Sequence, residues 1–274
     1  MRIAVLMTCF NRVETTLKCL RHLYAAEKPS ELVFDVWLND DSSPDETGIK
    51  VKSEFSLVNV INGSGHDYWC GGMRRVWSEA ASSRIDYDGY LWLNDDTILF
   101  RSALKELIGS SNSTIIVGAT LDKDSYEITY SGRDVNGRKM IPNGAFQACH
   151  YMNGNAVFIP QNVFQKIGNF PSYLTHGIGD YDYGLRAKKF GFDIFLAPSP
   201  VGVCEAKKFV EKWRRMDVSF LCRLKDLYSP LGGPEPHVFF RYNITHFGII
   251  KALRVFICQH LEMCIPSAYR KLKG

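Results

Sequence analysis

The chain has 274 residues and a net charge of +4, with 46% hydrophobic and 23% charged residues. That balance fits one large α/β domain, alone or with an appendage, and excludes a disordered or low-complexity chain. No run of 18 apolar residues is present that would span a bilayer as a helix, and the start, MRIAVLMTCFNR, lacks the pattern of a secretory signal.

A cytoplasmic location is therefore expected. Eight cysteines occur, none in a CxxC pair, so zinc spacing is absent and reduced, mostly buried thiols are expected.

Residues 2–7 form a short apolar run suited to a buried parallel strand. Val13, Leu17, Leu20, Leu23 and Tyr24 follow at helical spacing, with Asn11 as the expected cap and Glu14 as its capping-box partner. Residues 32–38 read as a strand, 45–53 as a short helix, 57–61 as a strand and 71–82 as a helix. Residues 89–93 form a fourth strand ending in LNDDT. This alternation predicts a Rossmann-like, mostly parallel sheet flanked by helices, with right-handed crossovers. Ligands bind such sheets beyond the carboxyl ends of the strands. Thr8 and Asn11, Asp40 and Asp41, and Asp95 and Asp96 all collect there.

The middle is richer in strand signals. Residues 114–118, 127–132 and 156–160 are candidate strands, with turns at Asn136-Gly137 and Asn143-Gly144. A helix over 181–190 is stopped by Gly191, and 193–197 reads as a strand. From Glu205 onward there are 13 Lys+Arg against 6 Asp+Glu, a net +7, which leaves −3 for the rest. Residues 217–227 read as a helix and 229–236, SPLGGPEP, as a hinge. A long helix or helix pair is expected over 237–272. Ile249, Ile250, Leu253, Phe256, Ile257 and Leu261 line one face of it, with Lys251 and Arg254 opposite. The chain therefore divides into a body, 1–204, and a basic helical extension, 205–274. Such an extension suits an anionic membrane surface, a homodimer seam or a merely solvated face. No nucleic-acid motif is present, and no nucleic-acid partner is expected.

The chemistry-bearing acids gain meaning together. DDSSPDET or LNDDT alone is an ordinary capped turn. Jointly they match the needs of a nucleotide diphosphate sugar. Asp40 can accept a base N–H, and Asn94 or Asp95 can bond ribose hydroxyls. Asp96 can hold Mg2+ or Mn2+, hard cations that bridge to phosphate oxygens. Arg74 or Arg75, in WCGGMRR, would add positive charge. Asp180, in HGIGDYDYGLRAKKFG, sits at a helix start, where the dipole favours its ionised form, and is a candidate general base. Asp182 lies on another face and is spaced to pair with Arg186. His176, His66 and Trp69 are acceptor-side candidates, whereas His22 and His246 read as structural.

The motifs VLMTCFNR, WLNDDSSPDETG, YWCGGMRR, LWLNDDT, YMNGNAVFIP and GIGDYDYGLRAKKFG occur in order. With them the chain resembles a bacterial family 2 inverting glycosyltransferase of the GT-A fold, over most of its length. It resembles the rhamnosyl- and galactofuranosyl-transferase-like members of surface polysaccharide assembly. The resemblance implies nucleotide-sugar contacts at Thr8, Asn11, Asp40 and Arg74, metal holding at Asp96 and the catalytic base at Asp180. It also implies a saccharide acceptor, often lipid-linked, which suits a peripheral position on the inner face of the plasma membrane. The pattern departs in three places. Asn94 replaces the first acid of the Asp-x-Asp motif, and Gly179 replaces the Glu of the Glu-Asp motif. PVGVCEAKK, near Val203, lacks the His that many relatives use as a metal ligand. These departures keep a second reading open, a catalytically inactive nucleotide-sugar-binding module. A sugar-phosphate nucleotidylyltransferase would need a glycine-rich loop after the first strand, where MTCFNR stands instead.

Overall fold

The computed structural model describes residues 1–108, 113–206, 210–233 and 235–266. β1 (Arg2–Cys9), α1 (Val13–Ala25), β2 (Val33–Asp40), α2 (Thr47–Glu54), β3 (Asn59–Asn62), α3 (Tyr68–Ser82) and β4 (Gly89–Leu93) follow in alternation. Next come β5 (Ile98–Leu99), α4 (Ala103–Leu107), β6 (Thr114–Leu121), β7 (Ile128–Tyr130), β8 (Gln147–Ala148) and β9 (Ala156–Pro160). α5 (Gln161–Ile167), α6 (Gly179–Lys189) and β10 (Asp193–Val203) complete the body. α7 (Phe220–Leu227), α8 (Pro236–Phe247) and α9 (Ile249–Cys264) make up the extension, with short 3-10 turns at Lys212–Arg214 and Pro230–Gly232.

Among the described residues the strands form one sheet, in the order β3-β2-β1-β4-β9-β6-β10-β5, with β7 on β6 and β8 on β10. β1 is parallel to β2 and β4, and β2 to β3. Its alternate residues feed two cores. Ile3, Val5 and Met7 pack with Leu17, Leu20 and Leu104. Ala4 and Leu6 pack with Trp77, Trp92 and Tyr183. Burial on both faces is why β1 reads as a continuous apolar run. Past β4 the sheet is mixed, because β9 is antiparallel to both β4 and β6. The chain between β6 and β9 holds no helix, so no crossover returns it in the parallel sense. β10 runs beyond the expected Ala197, with register irregularities between Leu196 and Gly202, where Pro198 and Pro200 interrupt the pattern.

The start of α1 differs from the expected capping box. Asn11 takes a left-handed backbone, φ 53°, and its N–H donates to Ser43 Oγ. The cap comes from the next loop, since Asp45 Oδ2 accepts the Val13 N–H at 3.0 Å and Asp45 Oδ1 accepts that of Thr47 at 3.1 Å. One carboxylate thus serves the starts of both α1 and α2.

The expected long C-terminal helix is a pair broken at Gly248, φ 86°; residues 267–272 and Pro234 of the hinge lie outside the described residues. The extension packs onto the body. Val238 joins the core, Thr175 donates to Glu235, and His246 Nε2 lies 2.8 Å from Asp182 Oδ1. Asp182 also receives Arg186 at 2.8 Å, as the spacing suggested, and the Tyr173 hydroxyl at 3.2 Å. His22 is structural as well, its Nδ1 lying 3.2 Å from the Leu99 carbonyl.

Gly72 lets α3 approach the ends of β1 and β2. A Cβ there would stand 2.2 Å from Thr8 Oγ1 and 2.8 Å from Asn39 Nδ2. Gly72→Ala is expected to cost about 1–3 kcal/mol through overpacking. A lower urea midpoint at unchanged slope would report it, and an unaltered midpoint would refute the close approach.

Candidate active site

The carboxyl ends of β1, β2 and β4 open onto a cavity of about 670 Å³. Thr8, Asn11 and Arg12 reach it from the end of β1, and Asn94, Asp95 and Asp96 from the end of β4. Trp69 of α3 and His176 and Asp180 around the start of α6 face it as well. Residues far apart in the chain therefore meet at one edge of the sheet. His66 is exposed and does not line this cavity.

Two expected donor contacts stand elsewhere. Asp40 does not line the cavity: its Oδ1 accepts the Ser43 N–H at 3.0 Å and its Oδ2 that of Gly48 at 2.8 Å. Its carboxylate closes the turn after β2. The neighbouring Asp41 lines the cavity instead, while accepting the N–H groups of Gly65, Asp67 and Tyr68 at 2.7, 2.9 and 3.1 Å. Arg74 is also turned away. Its Nη1 donates to the carbonyls of Pro171 and Leu174, at 3.0 and 3.1 Å, which ties α3 to the loop before α6. Arg75 pairs with Asp67.

The cation at the cavity is Arg12. Its Nη1 lies 3.3 Å from Asp95 Oδ1 and 3.1 Å from Asp96 Oδ2. Thr16 Oγ1 donates to Asp95 Oδ2 at 3.4 Å. Burial, and then the charge of Asp96, push Asp95 up to about 7, against the pull of Arg12. Asp96 is the more exposed of the pair, and Cys204 Sγ lies 3.6 Å from its Oδ1. A thiol thus stands beside Asp96 after β10, where no histidine is found in PVGVCEAKK.

Asp180 Oδ2 accepts the Gly154 N–H at 2.9 Å, and its Oδ1 accepts that of Tyr181 at 2.9 Å. Burial raises Asp180 to about 6, although these bonds and one from Asn153 pull it down. Desolvation outweighs the dipole that was expected to favour the ionised form. Asn153 also lines the cavity, and its Oδ1 has no hydrogen-bond partner.

Packing leaves no room for a side chain at position 179. A Cβ on Gly179 would lie 2.5 Å from Cys70 Sγ and 3.3 Å from Trp69 Cζ3. The Trp69 indole Nε1 donates to Asn94 Oδ1 at 2.8 Å, and the Trp69 backbone N–H to His176 Nδ1 at 3.4 Å. Trp69 therefore links the end of β4 to the loop before α6. Asn11, Tyr68 and Ile178 all line the cavity with positive φ, at 53°, 52° and 59°. A β-branched Ile there is strained, and such strain concentrates at working sites.

Sequence reasoning passed over Arg12, Asp41, Asn153 and Cys204 as site residues. Arg12 and Asn153 lay inside quoted motifs, but nothing local tells which side chain turns inward. For a metal, Asp95 and Asp96 supply hard carboxylate oxygens, which fit Mg2+ or Mn2+. Among the described residues no cluster of three His, Cys, Asp or Glu side chains stands ready for an ion. The remaining ligands would have to be diphosphate and water.

Removing Arg12 would leave two acids facing each other, so Asp95 would keep its proton to higher pH. A carboxyl whose folded pKa is raised loses its stabilising effect as pH rises through that value. The Tm deficit of Arg12→Ala should therefore be smallest near pH 6 and widen above about pH 7. A deficit flat across that window in a thermal-melt series would break the assignment.

No protein-family model and no curated protein matches the chain. Solved structures do. The mannosyltransferase PcManGT from Pyrobaculum calidifontis, in complex with GDP-Man and Mn2+, aligns with TM-score 0.55 at 14% identity, over 99% of this chain and 82% of that one. S. aureus TarS in complex with UDP-GlcNAc aligns with TM-score 0.55 at 14% identity, over 96% and 73%. GalNAc-T7 with UDP, GalNAc and Mn2+ aligns with TM-score 0.60 at 13% identity, over 100% of this chain and 58% of that one. At such identities the likeness speaks for architecture, and the architecture is the GT-A fold.

Proposed function

We propose that this chain is an inverting glycosyltransferase. It moves a sugar from a UDP- or dTDP-sugar to a hydroxyl of a saccharide acceptor. The observation that supports this most is the meeting of Asp95, Asp96 and Asp180 in one cavity. By their own descriptions, PcManGT holds GDP-Man and Mn2+, TarS UDP-GlcNAc, and GalNAc-T7 UDP, GalNAc and Mn2+, which favours a nucleotide-sugar donor here.

Thr8, Asn11 and Asp41 would border the nucleoside. Asn94 has its carbonyl engaged by Trp69, so its amide NH2 remains to donate to a ribose hydroxyl. Mg2+ or Mn2+, held by Asp96 with Asp95 and the diphosphate, would supply charge neutralisation for the leaving group. Arg12 replaces Arg74 as the side chain placed to aid the diphosphate. Asp180 takes the proton of the acceptor hydroxyl. The acceptor oxygen then bonds the anomeric carbon as the bond to the diphosphate oxygen breaks on the opposite face. One displacement inverts the centre. A base near 6 is mostly ionised at neutral pH yet still basic enough to act. Asn153 Oδ1, unpartnered at the wall, is placed to accept from a sugar hydroxyl.

The motifs favour a rhamnosyl- or galactofuranosyl-type member of bacterial family 2, acting in O-antigen or capsule synthesis on a lipid-linked acceptor. Residues 1–204 would carry donor and acceptor, and 205–274 would hold the enzyme at the inner face of the membrane. Among the described residues no helix is long and apolar enough to cross a membrane.

Two measurements decide. Asp180→Asn should lower turnover by roughly 10²-fold or more, and wild-type kcat/KM should fall below about pH 6 as the base is protonated. Near-normal turnover in Asp180→Asn would remove it as the base. In a thermal-shift panel of UDP-, dTDP- and GDP-sugars with Mn2+, one donor should raise Tm by mass action, and Asp96→Ala should lose the metal-dependent part. Donor binding with neither hydrolysis nor transfer to any acceptor would favour the inactive binding module, for which Gly179 speaks.

A further inference from the structure

α9 carries an apolar residue at every fourth position, Ile249, Leu253, Ile257 and Leu261, and Ile265 follows at its cap. Each is between 48% and 54% exposed, and Ile250 beside them is 83% exposed. The opposite side is buried through Ala252, Gln259 and Met263. At 3.6 residues per turn these positions form one continuous stripe about 24 Å long. A row of this kind on a protein surface marks an interaction site.

Charge decides what covers it. Lys251 and Arg254, expected opposite the apolar face, are exposed beside it instead, because the opposite side packs on the protein. The one acid of α9, Glu262, is mostly buried and lies 3.2 Å from Arg214 Nε. The last eight residues of the sequence, SAYRKLKG, add three cations and no acid. Two such helices face to face would set cations against cations with no free carboxylate between them. An apolar stripe with basic flanks suits anionic lipid headgroups.

We propose that this face of α9 docks on an anionic phospholipid surface. The stripe enters the acyl boundary, and Lys251 and Arg254 meet the headgroups. The contact reaches toward the cavity. Met263 packs with Trp213, whose Nε1 donates to the Gly232 carbonyl at 2.7 Å, and the adjacent Leu231 lines the cavity. The buried side of α9, opposite the docked stripe, is thus tied to the cavity wall. The docking stands on the surface alone; its use in presenting a lipid-linked acceptor rests on the glycosyl-transfer reading.

The test uses the full chain, sedimented with vesicles of phosphatidylcholine with and without phosphatidylglycerol. Binding is expected to the anionic vesicles and to weaken with salt. The double variant Ile250→Glu, Ile257→Glu should cut the bound fraction on the order of tenfold or more. Its donor-induced thermal shift should stay that of the wild type. Wild type left in the supernatant with anionic vesicles, or a double variant that binds as tightly, would overturn the docking. So would a wild-type dimer in sedimentation equilibrium that the double variant turns into a monomer, which would assign the face to a second copy. Vesicle binding without any donor-induced shift would instead count against glycosyl transfer and leave the docking intact.

Discussion

The acids at the carboxyl edge of the sheet fall into two kinds, set by whether desolvation or hydrogen bonding prevails at each. Asp40 accepts from Ser43 and Gly48, Asp41 from Gly65, Asp67 and Tyr68, and Asp45 from Val13 and Thr47. These three shape loops. Burial tends to raise Asp45, but its bonds from Thr47 and Val13 outweigh it and hold that carboxyl below the usual range. At Asp95, and at Asp180 despite the N–H groups of Gly154 and Tyr181, desolvation prevails, and both are pushed up toward neutrality. Acids at which desolvation prevails are the ones able to hold a cation or a proton at neutral pH. Two carboxylates of nearly the same sequence context thus have different fates.

Trp69 makes the second constraint. It packs against Gly154 and Gly179 and bonds Asn94. Its edge packs on Trp92 and Phe170, so the ring is fixed by the core rather than by the cavity. Asn94 and Gly179 are thus both part of the packing around α3: Asn94 accepts from the indole, and Gly179 makes room for Cys70 and, beside it, the indole. Read separately in the sequence, they look like two lost functions.

This separates what was legible from what was not. Local periodicity showed β1, β4 and β9 because each is apolar through its whole length and bounded by polar turns. It also showed the site edge, because ligand positions follow from strand direction. What stayed hidden was non-local. Asn11 and Glu14 spelled a capping box, but Asp45 from another loop takes that duty. Arg74 matched a phosphate contact, but two carbonyls about a hundred residues away in sequence claim it. The exchange of Asp40 for Asp41 is a matter of one residue of turn geometry, which pattern cannot resolve. The antiparallel entry of β9 depended on a helix being absent, and absence leaves a weak signal.

α6 carries two environments on different faces, and this joins the extension to the chemistry. Asp180 faces the cavity, whereas Asp182, two residues on, is buried against Arg186, Tyr173 and His246 of α8. Burial alone would raise Asp182, but the bonds from His246 and Arg186 outweigh it and keep it below the usual carboxylate range. An ionised, fully bonded Asp182 fixes the rotation of α6 about its axis, and that rotation sets where Asp180 points. The buried carboxylate adds little net stability, since desolvation cancels most of its attraction. Its contribution is orientation, and part of that orientation comes from α8 of the extension. The extension is thus part of the frame that aims Asp180, whatever surface its outer face meets.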